Sequence, residues 1–192
     1  MKNNLNNILI LDTETGGIDP NTDSILTIAM LKYEEALTNP PTEIGIIPYG
    51  KKIKKSAIKY NNINNDLNNI NFLPKEEAGK FITNYLENKF DLTVDKITLL
   101  GHNIGFDINF LKTFFKDLDI DFYKYFSYRS IDTASILLFL YDVGKIKTPA
   151  FSLKEAYNLY INKNNNLFSS HQAFGDVFMT YYLYKSLKTY LE

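Results

Sequence analysis

The chain has 192 residues, no cysteine and a formal net charge of −1. Disulfides, thiolate nucleophiles and zinc-thiolate centres are thereby excluded, and there is no global basic signature of a protein that scans DNA. The length suits a single domain, 1–192, and a domain of this size buries roughly 70% of the surface its unfolded chain exposes. With 14 Tyr and 14 Phe among 45% hydrophobic residues, the core is expected to be rich in aromatic rings.

The first apolar run, Ile8 to Leu11, is too short for a secretory segment and is followed at once by charge, so a soluble cytoplasmic protein with no membrane contact is expected. "NILILDTE" (7–14) reads as a buried central strand that ends in carboxylates and a "TGG" turn. "DSILTIAMLKYEE" (23–35) and "EIGIIPYG" (43–50) read as the next two strands. The connections among these three are too short for helices, which makes them antiparallel neighbours. An Asn-rich connection, "NNINNDLNNIN" (61–71), is expected to be a loop. Pro74 then stands at the first helical position, and Ala78, Phe81, Ile82, Tyr85 and Leu86 share the helix's apolar face.

"KITLLGHN" (96–103) reads as another buried strand, and "GFDINFLKTFFKDL" (105–118) as a helix carrying Phe106, Phe110 and Phe114 together with Ile108, Leu111 and Phe115. A fifth strand is expected at "FSYRSIDT" (126–133). Helices follow at "ASILLFLYDVG", "SLKEAYNLYI" and "HQAFGDVFMTYYLYKSLKTYL". Strands first, then strands alternating with helices, imply an α/β fold with a mixed five-stranded sheet covered by helices.

Four carboxylates stand out. Asp12 and Glu14 are two apart in a strand, so both project from one face while Thr13 points to the other. Asp107 sits on the first turns of a helix that follows a strand, where the helix dipole and free backbone N–H groups already give an aspartate a structural role. Asn103 is placed to cap that helix. Asp176 occupies an apolar stripe with Thr180, Leu183 and Leu187, where an ionised carboxylate is costly unless a cation or several donors neutralise it. His171 is five residues earlier, about 140° around a helix. It cannot share the face of Asp176, and must lie at or before the N-cap on a loop. Four carboxylates meeting at one sheet end would repel one another, and hard divalent cations with all-oxygen ligands, Mg²⁺ or Mn²⁺, would remove that penalty.

"LDTETGG", "HNIGFDINFL" and "HQAFGDVFMT", in this order, resemble the three motifs of DEDDh-class DnaQ-like 3′–5′ exonucleases, in the ribonuclease H-like superfamily. "SIDTASILLFL" and "FSLKEAYNLYI" resemble lesser marks of the same family. The resemblance implies a ribonuclease H-like fold, and it implies that Asp12, Glu14, Asp107 and Asp176 hold two Mg²⁺ or Mn²⁺ ions with His171 as general base. It further implies that Thr15, Gly16 and Gly17, with Asn103, lie beside the substrate; Phe106 is a candidate to stack on a base, but a core role is the favoured reading for it. Where many relatives carry His-Gly-Ile after the third strand, this chain reads "NNI" at 61–63, which removes one expected polar contact.

The activity so implied is hydrolysis of the terminal phosphodiester of single-stranded or frayed DNA, releasing nucleoside 5′-monophosphates. Trimming of RNA ends is the alternative, and a catalytically inactive binding module or scaffold the second. The expected partners are 3′ ends of single-stranded DNA or RNA, and a DNA polymerase or another replication or repair protein. Lys51, Lys52, Lys54, Lys55 and Lys59 are expected either to protect a solvated edge strand or to contact the phosphate backbone.

Overall fold

The computed structural model describes residues 7–55, 57, 70–150, 152–161 and 173–191. Strand β1 (Ile8–Thr15) is central because its apolar residues face both ways: Leu9 and Leu11 enter one core, Ile8 and Ile10 the other. It pairs antiparallel with β2 (Ile25–Lys32), which pairs antiparallel with β3 (Thr42–Ile46), as the short connections predict. Beyond β3 lies β4 (Phe72–Leu73), and on the other side of β1 lie β5 (Ile97–Gly101) and β6 (Phe126–Asp132), all three parallel to their neighbours. The sheet therefore has six strands in the order β4-β3-β2-β1-β5-β6 rather than the five expected. The added strand is only two residues long, too short for alternation to reveal it.

Helices α1 (Lys75–Lys89) and α2 (Gly105–Lys116) cover the face of Leu9 and Leu11. Phe110, Phe114 and Phe115 of α2 are buried there, and each such ring contributes roughly 1.5–3 kcal/mol by leaving water. Pro74 caps α1 instead of opening it, and Phe81 departs from the predicted stripe at 38% exposed, while Ala78, Ile82 and Leu86 are buried as expected. A short α3 (Phe122–Tyr125) leads into β6, and Asp132 at the end of β6 caps α4 (Thr133–Asp142) by accepting from Ala134 N at 3.0 Å. Helix α5 (Leu153–Tyr160) is followed by α6 (Ala173–Lys188), which covers the second face of the sheet.

Helix α6 corrects the sequence pattern in one respect. Ala173, Val177 and Tyr181, four residues apart, are the ones that pack on Ile8, Ile10 and Ala29 of the sheet. Leu183 and Leu187, from the stripe that begins at Asp176, turn instead toward Leu137 and Leu140 of α4 and Ala156 of α5. The helix is buried along two lines because it has neighbours on two sides. Among the described residues no helix is long and apolar enough to cross a membrane.

Candidate active site

The strand ladder fixes the first two carboxylates. Asp12 lies opposite Ala29 and Glu14 opposite Thr27 in β2, and the pairing shifts register between Glu14 and Thr15, where Leu26 of β2 is passed over. Asp176, in the first turn of α6, comes down on the same side of the sheet. Carboxylate oxygens of Asp12, Glu14 and Asp176 lie within 4.8 Å of one another. Residues 12, 14 and 176, remote in sequence, are thus brought together as expected.

Asp107 approaches from the other face of β1. The alternation that sends Asp12 and Glu14 one way sends Thr13 the other, and there its backbone N and its Oγ1 both donate to Asp107 Oδ1, at 2.9 and 2.7 Å. Asp107 is 5% exposed and is held by these two donors. The role of Thr13 was legible in the sequence only as the residue that faces away from the acids. Its partner is set by the packing of α2 on β1.

Electrostatics sharpen the picture. Lost solvation, and then the like charges of Asp107, Asp176, Glu14 and Glu43, hold the Asp12 carboxyl well above its ordinary range. Glu14 is raised to about 8, first by lost solvation and then by Asp176, Asp107 and Glu43. Asp107 is raised to about 7 by burial, although the Thr13 hydrogen bonds pull it down. Glu43 is a contributor that the sequence did not announce. It lies opposite Ala29, which lies opposite Asp12, so register alone places Glu43 in the same row and on the same face.

The turn between β5 and α2 departs from expectation. Asn103 does not cap α2 with its side chain: the cap position is Ile104, and Asn103 adopts a left-handed conformation, φ 58°, that Asn tolerates better than most residues. Its carbonyl accepts from Phe106 N at 3.0 Å, and its own N–H donates to Asp132 Oδ1 at 2.8 Å. Asp132 accepts in addition from Ala134 N and Ser135 Oγ, so one carboxylate braces the turn before α2 against the start of α4. Phe106 does not take the core role: it is 39% exposed, with its ring centroid 4.9 Å from that of Phe110.

Thr15, Gly16 and Gly17 form the turn that leaves β1, with Thr15 Oγ1 donating to Gly17 O at 2.6 Å. Lys51 and Lys54 pair with Asp117 and Asp23, each at 2.8 Å, while Lys52 and Lys55 are exposed. Lys51, Lys52, Lys54 and Lys55 lie in no strand of the sheet, whose outer strands are β4 and β6; their segment meets it through a bridge between Asp23 and Lys52 and a bond from Lys54 N to Gly16 O. His171, Lys59 and the 61–63 segment lie outside the described residues.

Three carboxylates from a strand and a helix, gathered within reach of one ion, match the hard, all-oxygen donor set of a divalent cation. A mixed sheet with this acidic cluster at the end of its central strand is the ribonuclease H-like arrangement. The sequence matches the exonuclease family named RNase_T over residues 9–184, and the chain belongs to that family. It is 29% identical over 135 residues to ribonuclease T of Wigglesworthia glossinidia brevipalpis, a match covering 67% of this chain and 63% of the relative. Among solved structures, E. coli exonuclease I in complex with a dT13 oligonucleotide superposes with a TM-score of 0.75 at 19% identity, over 96% of this chain and 41% of that one. The zinc-bound form of its complex with single-stranded DNA gives 0.74 at 21% identity, over 95% and 40%. The chain therefore spans less than two thirds of either relative's length.

Proposed function

We propose that the protein is a metal-dependent 3′–5′ exonuclease that hydrolyses the terminal phosphodiester of single-stranded or frayed DNA and releases nucleoside 5′-monophosphates. The observation that carries this reading is the approach of Asp12, Glu14 and Asp176 to within 4.8 Å, which raises carboxylate pKa values unless positive charge arrives from outside the chain. Two Mg²⁺ or Mn²⁺ ions, held by Asp12, Glu14 and Asp176 and by Asp107, would supply activation of the attacking water and neutralisation of charge on the leaving 3′ oxygen.

The remaining roles fall to side chains. Thr13 holds Asp107 through one of its oxygens, Oδ1. His171 is assigned the proton of the attacking water, a task suited to an imidazole with a pKa near 6.5. The Thr15–Gly17 turn and Asn103 are assigned to the terminal nucleotide. The exposed ring of Phe106, in the same helical turn as Asp107, is assigned to stacking on a base. Lys52 and Lys55, being exposed, are the lysines placed to meet backbone phosphates.

A second reading, an exoribonuclease trimming RNA ends, is favoured by the sequence likeness to ribonuclease T. The two differ in how the site treats a 2′-hydroxyl. Matched 3′-labelled DNA and RNA oligonucleotides, digested with Mg²⁺ or Mn²⁺, separate them: mononucleotide release from DNA first supports the leading reading, faster release from RNA the second. Release from neither, with either metal, leaves a binding module or polymerase-associated scaffold and overturns both.

A further inference from the structure

Three stretches of chain meet where β1 ends. Gly16 N donates to Ser24 O at 2.7 Å, Ser24 N to Lys52 O at 3.1 Å, Lys52 N to Thr22 O at 2.8 Å and Lys54 N to Gly16 O at 2.8 Å. These bonds join the turn after Glu14, the approach to β2 and the lysine segment into one unit. At its centre is Asp23, which is 1% exposed. Its Oδ2 accepts from Lys54 Nζ at 2.8 Å and from Asp19 N at 3.0 Å, and its Oδ1 from Thr22 Oγ1 at 3.4 Å.

The carboxylate is wedged against the turn itself. A Cβ on Gly17 would stand 2.1 Å from Asp23 Oδ2, and one on Gly16 would stand 2.7 Å from Lys52 O. Neither glycine has room for a side chain on the side where Asp23 and Lys52 stand. The acid of the pair is out of water while the lysine is 48% exposed, so the lysine is what keeps the acid charged and in place. Removing one partner of such a pair leaves a buried charge without compensation.

The geometry points to Asp23 as a positioning residue for substrate binding: through its ion pair with Lys54 it sets the height of the Gly16–Gly17 backbone on which the 3′-terminal nucleotide rests. The inference rests on the proposed reading that this turn faces the terminal nucleotide. Asp23 does not belong to the acidic cluster. Asp12 and Glu14 are held by the β1–β2 ladder, opposite Ala29 and Thr27, and that ladder does not pass through the latch. Loss of the latch therefore acts on binding more than on the chemical step, and appears in KM rather than kcat.

The test uses the full chain with a fluorescent single-stranded oligonucleotide bearing a free 3′ end. Asp23→Asn and Lys54→Met are each expected to raise KM about tenfold and to change kcat by less than about twofold. The double variant should be no worse than either single one, because both remove the same pair. Lys54→Arg, which keeps charge and reach, should restore KM. Fluorescence anisotropy with Ca²⁺ in place of Mg²⁺ should show the same loss of affinity without turnover. If both variants lower the melting temperature but keep the wild-type KM and affinity, the pair is only a structural brace and the proposal is overturned; a fall in kcat at constant KM overturns it too. If the wild type binds the oligonucleotide but hydrolyses nothing, the proposed activity fails, and the anisotropy measurement then decides on the latch by itself.

Discussion

Asp23 and the pair Asp12 and Glu14 flank the same turn, yet burial has opposite outcomes for them. Asp23 is almost fully enclosed, but the Lys54 ammonium and the Asp19 N–H hold its carboxyl below the usual aspartate range. Asp12 and Glu14 also lie deep in the fold, and there lost solvation together with neighbouring acids pushes both upward. The difference lies in the source of the counter-charge. For Asp23 the chain provides a lysine; for the cluster the described residues provide further carboxylates, so neutralisation falls to a proton or a metal ion.

The largest effect is expected from removing a member of the cluster. Asp12→Ala or Asp176→Ala should lower nucleotide release by roughly 10³-fold or more, to below detection, with an unchanged circular dichroism spectrum. Residual activity close to that of the wild type would mean that the cluster does not carry the chemistry. His171→Ala should cost roughly 10²–10⁴ in rate. In the wild type, the rate should fall as pH drops through about 6.5, the ordinary range of an imidazole.

The stability of the metal-free protein sharpens the contrast. A carboxyl with a raised folded-state pKa holds its proton where the unfolded chain has released it, so stability declines as pH rises from about 4 through the folded value. With Glu14 at about 8 and Asp107 at about 7, melting temperature in EDTA should fall between pH 4 and 8. Asp23 has the opposite sign: its lowered pKa gives stability that is present above about 3.8 and lost only in acid. Mg²⁺ at a hundred times its Kd should return about 2.7 kcal/mol. Asp12→Asn should be more stable than the wild type in EDTA at pH 8 by roughly 2 kcal/mol, while Asp23→Asn should be less stable. A melting temperature that neither pH nor Mg²⁺ moves would remove the electrostatic case for a metal.

The smallest effect is expected at Thr13. Thr13→Val removes the hydroxyl donor and keeps the backbone one, so about 1 kcal/mol of the hold on Asp107 is lost, with roughly a tenfold lower rate. Thr13→Ser should recover most of it. Steady-state rates of the two variants, compared at saturating Mg²⁺, check this.

Period and punctuation made much of the fold legible. The run Ile8 to Leu11 is apolar on both faces because β1 lies between two helical layers, and the short gaps before β2 and β3 forced antiparallel pairing. Helices α1 and α2 could be read from their apolar spacing, although Phe81 and Phe106 occupy stripe positions and remain partly exposed. Such residues defeat pattern reading because a stripe says which way a side chain points and not how far the neighbouring layer extends. Strand β4 escaped notice because two residues hold no alternation.

At the site, spacing alone put Asp12 and Glu14 on one face, since a strand turns every second side chain the same way. The sequence also showed Asp176 to be an anomaly, an acid where its helix should be apolar. Which residues stand beside these acids was decided by tertiary structure: Glu43 enters their row through the register of β1, β2 and β3, Thr13 meets Asp107 because α2 packs on that face, and Asp23 reaches Lys54 across a loop closure. Local geometry repeats with a period that a sequence can display, whereas contacts between distant segments depend on register and packing that no local pattern encodes.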